Sequence, residues 1–159
     1  MGKILVAFFS HSGNTRSVAN NIKENTGGDL FEIRTVESYP ADYNTVVEKA
    51  RNELKSDYRP KLASKVANME DYDVVFVGYP NWWSTIPMGV FTFLEEYDFC
   101  GKKIIPFCTH EGSGLGRSEK DIAKLCPDSE IREGLTIRGS SVSKAQNSVA
   151  EWLKKLGIA

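Results

Sequence analysis

Between Ser10 and Thr15 the chain runs Ser10-His11-Ser12-Gly13-Asn14-Thr15, directly after the apolar stretch Ile4–Phe9 and before a segment with helical periodicity. Short hydroxyl and amide side chains at the start of a helix suit a phosphate group, because unpaired N–H groups and a partial positive charge collect there. Gly13 lets the backbone turn tightly and approach such a ligand. An ordinary helix cap would explain Asn14. It would leave the hydroxyls of Ser10, Ser12 and Thr15 without a reason.

Two further clusters follow apolar runs in the same manner. Pro80-Asn81-Trp82-Trp83-Ser84 comes after Val74–Tyr79. Two adjacent indoles in one turn are hard to bury together. One is expected to pack against the following helix and the other, with Trp83 preferred, to offer its face to a flat ring. Thr109-His110-Glu111-Gly112-Ser113, continuing as Gly114-Leu115-Gly116, comes after Ile104–Thr109. Its backbone amides suit the polar edge of a ring. His110 and Glu111 are either solvated bystanders or, in the case of His110, an imidazole that titrates near neutral pH beside the ligand.

Other chemistries are disfavoured. Gly112-Ser113-Gly114-Leu115-Gly116-Arg117 has Arg where a dinucleotide fingerprint needs its last Gly, and no G-x-x-x-x-G-K-[ST] occurs. A receiver domain would need acidic residues at positions held by Ser10 and Pro80. A Cys-based phosphatase would need an Arg six residues after Cys100 or Cys108. Two histidines and three cysteines without a CxxC pair assemble no metal site and no disulfide framework. Twenty basic residues against twenty-one acidic give a net charge of −1, which exerts no global pull toward nucleic acid or a membrane. Ile4–Phe9 is too short for a signal peptide or a span, and Met1-Gly2 is followed by Val6 where myristoylation needs Ser or Thr. A soluble cytoplasmic protein is expected.

These clusters need a scaffold, and the alternation of short apolar runs with helical segments describes one. Ile4–Phe9 and Val74–Tyr79 are almost wholly apolar, as in central strands covered on both faces. Leu30–Arg34 alternates and is expected nearer the sheet edge. Ile104–Thr109 contains Pro106, which predicts a bulge or local irregularity, and a fifth strand is expected around Ile131–Arg138. Helical faces are expected from Val18, Ala19 and Ile22 with a stop at Gly27. Others are expected from Tyr43, Val46, Val47, Ala50 and Leu54, and from Pro87, Val90, Phe91 and Leu94. The last comprises Val142, Ala145, Val149, Trp152, Leu153 and Leu156. Ser56–Asp71 is expected to wander over the surface. The whole, residues 1–159, reads as a single α/β domain with a doubly wound sheet. In such sheets ligands bind beyond the carboxyl ends of the strands, where the three clusters fall.

Ser10–Thr15 resembles the [ST]-x-[ST]-G-N-T phosphate loop of the flavodoxin family. The similarity extends through Tyr39–Tyr43, Tyr72-Asp73, Gly78–Trp83, Pro87-Met88 and Thr109–Gly114 to a bacterial flavodoxin-like branch. The resemblance implies a three-layer sandwich around a five-stranded parallel sheet of order 2-1-3-4-5. It also implies FMN as cofactor, with Pro80–Ser84 beside the flavin ring and Thr109–Ser113 at its pyrimidine edge. The expected function is an oxidoreductase passing electrons or hydride through FMN to quinone-like or small acceptors, with NAD(P)H, a quinone or a redox protein as partner. A one-electron carrier and a binding module without redox turnover are the alternatives. FMN carries the chemistry, so no catalytic triad is expected. The sequence departs from the family in two places. His110-Glu111 replaces a usual pair of small residues, and Asn81–Ser84 lacks the Gly whose peptide turns toward the one-electron-reduced flavin. With only Asn81 tolerant of φ > 0, that turn is expected to be costly, which favours two-electron chemistry.

Overall fold

The computed structural model describes residues 3–158; Met1 and Gly2, on which the myristoylation expectation fell, lie outside them. The described strands are β1 (Lys3–Phe8), β2 (Asp29–Glu32), β3 (Tyr72–Pro80), β4 (Lys103–His110), β5 (Glu130–Ile131) and β6 (Leu135–Arg138). The helices are α1 (Asn14–Thr26), α2 (Tyr43–Ser56), α3 (Met88–Glu96), α4 (Ser118–Leu125) and α5 (Gln146–Lys155). All strands pair in parallel in the order β2-β1-β3-β4-β5, with β6 also on β4. The expected order stands, and β2 is the edge.

Alternation along β1 explains the three layers. Val6 and Phe8 face α1 and α5, packing with Val18, Ile22, Val149 and Leu153. Leu5 and Ala7 face α3 and α4, packing with Val90, Phe93 and Ile122. Gly78 in β3 stands opposite Phe107, and a Cβ there would lie 2.1 Å from that ring. Gly27 ends α1 at φ 72, as expected. The stripe from Val142 to Leu156 is buried, although its first turn is a 3-10 turn and α5 starts only at Gln146. None of the described helices is long and apolar enough to cross a membrane.

The irregularity expected at Pro106 lies in its neighbour. β4 keeps an unbroken register with β3 through Pro106. The fifth strand instead splits, its pairing shifting by one residue between Ile104↔Ile131 and Phe107↔Leu135. Proline has no N–H to offer that side of the ladder, and the split falls where it is missing.

The helix expected from Tyr43 onward forms as α2, and one expectation, that for Ser56–Asp71, is corrected. The face of α2 does not cover the sheet: Val46 and Ala50 are buried outside both core clusters, and Tyr43 is 76% exposed. Residues 57–68 take its place. Leu62 pairs antiparallel with Thr35, and Leu62, Val66 and Met69 pack in the core beneath α3, so Ser56–Asp71 is not merely a surface excursion. Their uneven spacing matches neither a helix nor a strand, which hid them in the sequence.

Candidate functional site

A cavity of about 850 Å³ opens at the carboxyl ends of β1, β3 and β4. His11, Ser12 and Asn14 line it from the first loop, Pro80–Ser84 from the second and Thr109–Ser113 from the third. A fourth wall escaped the sequence reading. It is α2, contributing Tyr43, Val46, Val47 and Ala50. Their helical spacing marked an apolar face but could not say that the face met a cavity rather than the sheet.

Ser10, Gly13 and Thr15 do not line the cavity; they build its floor. Ser10 Oγ accepts the N–H of Gly13 (3.1 Å) and of Arg16 (3.4 Å), the part of a helix cap. Gly13 takes φ 98 to start α1. Thr15 is buried, and its hydroxyl shares a 2.9 Å hydrogen bond with the buried hydroxyl of Thr109. The N–H groups of Asn14 and Thr15 have no protein acceptor among the described residues, and no acid stands in the first turn of α1. That combination leaves an electropositive helix end facing the hydroxyl and amide of Ser12 and Asn14.

The two indoles take different surroundings. Trp82 packs edge-on against Phe9 (5.3 Å between centroids), Tyr39 (5.1 Å) and His11 (6.0 Å). Trp83 is 44% exposed and donates its Nε1–H to the Val47 carbonyl at 3.0 Å, pinning the loop to α2. The turn itself overturns an expectation. Trp83 and Ser84 both stand at positive φ, 57 and 69. Trp82 and Thr85 exchange backbone hydrogen bonds of 3.1 and 3.2 Å, a two-residue hairpin whose central residues need that conformation. Contacts beyond the turn hold it there. Ser84 N–H donates to Asn81 Oδ1 (2.9 Å), and Arg117 N–H donates to the Ser84 carbonyl (2.7 Å). The Ser84 carbonyl comes so close that a Cβ at Gly116 would lie 2.4 Å from it. The absence of Gly in this loop therefore no longer argues for two-electron chemistry.

Asn81 also donates to the Gly114 carbonyl at 2.7 Å, so one amide braces the second loop against the third. His110 Nδ1 accepts the N–H of Gly112 at 2.9 Å, which places the proton of the neutral ring on Nε2. His11 Nε2 meets the Pro40 carbonyl at 2.9 Å and ties the first loop to the segment before α2. Behind that segment, Tyr39 donates to Glu53 of α2 at 2.5 Å. Burial pushes the Glu53 carboxyl above its usual range against the pull of that hydrogen bond, and burial raises the Tyr39 phenol as well. Glu111 is the one carboxylate in the cavity wall, which contains no Lys or Arg. No group of three or more metal-ligating side chains occurs among the described residues.

A doubly wound parallel sheet with a phosphate-suited helix end and an aromatic loop at its switch point defines a mononucleotide-binding α/β protein. The sequence model of the Flavodoxin family matches residues 3–156, and the chain belongs to that family. A solved structure described as a flavoprotein from Bacteroides eggerthii is 33% identical, with TM-score 0.88 and full coverage of both chains (100% each). A flavoprotein from Lactobacillus acidophilus, solved in complex with FMN, is 19% identical with TM-score 0.76, over 91% of this chain and 98% of that one. A Fusobacterium nucleatum flavodoxin bound to flavin mononucleotide is 13% identical with TM-score 0.63, over 99% and 98% of the two chains, and at that identity the likeness is one of fold. Comparison with curated proteins finds no match.

Proposed function

We propose that the chain binds FMN in this cavity and passes its electrons or hydride to a quinone-like or small acceptor, with NAD(P)H as donor. The observation that carries the reading is the pair of unbonded amides at Asn14 and Thr15, set between the Ser12 hydroxyl and the Asn14 amide at the cavity floor. They would hold the phosphate. The second loop, with Trp83 nearer than Trp82, would flank the ring, and Thr109–Ser113 would meet its polar edge. When bound, FMN supplies hydride or electron transfer, and the chain supplies position and water exclusion. The balanced sum is NAD(P)H, one proton and a quinone giving NAD(P)+ and the hydroquinone.

In this proposal residues 1–159 act as one domain, and three free cysteines favour a reducing compartment, the cytoplasm. A one-electron carrier is the second reading. The Trp83-Ser84 turn favours it, because rotating the peptide between them would release Ser84 from its left-handed conformation. Titration of the apoprotein with FMN and with riboflavin tests the site. FMN should bind far more tightly, and equal affinity would remove the phosphate seat. NAD(P)H oxidation with and without a quinone then separates enzyme from carrier.

A further inference from the structure

The cavity wall carries no Lys or Arg, yet two guanidinium groups stand beside residues that line it. Of the seven arginines, Arg16, Arg34, Arg59, Arg117 and Arg132 sit in ion pairs. Arg51 and Arg138 meet no carboxylate within 4.0 Å among the described residues, and each lies beside a residue that lines the cavity. Arg51 belongs to the turn of α2 after Val47, with its guanidinium carbon 5.9 Å from the Trp83 ring centroid. Arg138 ends β6, in register with His110, and its guanidinium lies 3.5 Å from where a Cβ of Gly112 would be. One rim is α2 and the other is the third loop. Tyr43 and Trp83 add exposed aromatic surface on the α2 side.

Guanidinium is weakly hydrated, stays charged and forks onto carboxylate, sulfonate or phosphate oxygens, and it tolerates an aromatic ring beneath it. An arginine left without a carboxylate beside exposed aromatic rings presents that chemistry to whatever enters. We infer that the small redox partner of this site is a planar aromatic compound bearing an anionic group, its ring held at Tyr43 and its anion by Arg51 or Arg138. The inference rests on the FMN reading and specifies what meets the flavin. An acidic aromatic acceptor and a pyridine nucleotide share this chemistry.

Calorimetric titration of the FMN-loaded protein with matched non-reacting pairs tests it. 2-Naphthoate against 2-naphthamide reports an acidic acceptor, and nicotinamide mononucleotide against nicotinamide riboside, which lacks its phosphate, reports a pyridine nucleotide. The parent, Arg51→Gln, Arg138→Gln and the double variant are compared, after flavin content is read from absorbance. In at least one pair, the member bearing the anion should bind the parent tenfold or more tightly than the mate that lacks it. That preference should fall to under twofold in an arginine variant, and the affinity of the mate without the anion should hold. Which pair responds identifies the source of the anion. Probes with and without the anion binding alike, or an anionic preference unchanged in the double variant, would overturn the inference while leaving FMN binding intact. Failure to take up FMN, by contrast, would retire the earlier reading.

Discussion

Trp83 donates its indole N–H to the carbonyl of Val47 at 3.0 Å, so the second loop and α2 close on each other across the mouth of the cavity. Trp82, one residue earlier, turns inward to Phe9 and Tyr39. Adjacent residues of one type thus carry different loads.

Trp82→Ala should mainly lower stability, by about 2 kcal/mol, since it removes a half-buried ring with three edge-on aromatic neighbours. Trp83→Ala should weaken FMN more than Trp82→Ala does, with a smaller change in melting temperature. Denaturant melts and FMN titrations of both variants check this. Equal FMN affinity in the two variants and the parent would dismiss the loop as a flavin platform.

The buried hydroxyls of Thr15 and Thr109 share one hydrogen bond between the first and third loops. Thr15→Val should cost about 1–3 kcal/mol, because it leaves a buried hydroxyl unpaired. Adding Thr109→Val should return part of that loss. A double-mutant cycle by chemical denaturation measures the coupling, and strict additivity would deny it.

Much of this site was legible from the sequence because its loops follow apolar strands directly, and short polar residues stand out against such runs. Position could be inferred from order alone: Ser10, Pro80 and Thr109 each fall at the end of a buried strand. What faces a helix could not. Tyr43, Val46 and Val47 have the spacing of a core stripe, and only the insertion of Leu62 and Met69 under the sheet shows that α2 was displaced to the cavity. Backbone conformation was hidden too. Local preference argues against φ > 0 at Trp83 and Ser84, and the contacts that impose it come from Val47, Asn81 and Arg117, two of them more than thirty residues away.

That imposed turn is a measurable strain. A left-handed conformation costs an L-residue roughly 1–2 kcal/mol, and Ser84 makes no side-chain hydrogen bond among the described residues to offset it. Ser84→Gly should therefore stabilise the protein by about 1 kcal/mol, a rise of roughly 2–4 °C in melting temperature for a chain of this size. Differential scanning calorimetry decides, and a fall in melting temperature would show that the turn is not strained at Ser84.

Glu53 is 7% exposed, and burial raises its carboxyl above the usual range. Its folded pKa exceeds its unfolded value, so the folded state binds the extra proton. The contribution is therefore fully present below the unfolded pKa, about 4.3, and is lost as pH rises through the raised folded value. Glu53→Gln keeps a carbonyl oxygen to accept from Tyr39 and removes the charge. The difference in unfolding free energy between variant and parent should shift in favour of Gln as pH rises from 4 toward neutral, and a difference that is flat with pH would refute it.

Glu111 is the one carboxylate among the residues that line the cavity, and it stands close to the first loop. An ideal Cβ at Gly139 would lie 2.1 Å from Glu111 Oε1 and 2.8 Å from Asn14 Nδ2, which places the carboxylate beside the side chain of Asn14. A phosphate seated on the amides of Asn14 and Thr15 would meet this like charge, and no Lys or Arg lines the cavity, Arg138 standing beside Gly112. Two unit charges near 4 Å repel by about 1 kcal/mol in a water-like medium. Glu111→Gln should therefore tighten FMN about fivefold and leave riboflavin unchanged, since riboflavin has no phosphate. Salt separates charge from shape: the gain should shrink as ionic strength rises from tens of millimolar to above 0.5 M, where screening extends over only a few ångströms. Fluorescence titrations of both flavins at the two salt concentrations provide the measurement. Equal gains for FMN and riboflavin would show that Glu111 acts on the ring and not on the phosphate. A loss of FMN affinity would show that its carboxylate orients Asn14 for the phosphate instead of opposing it.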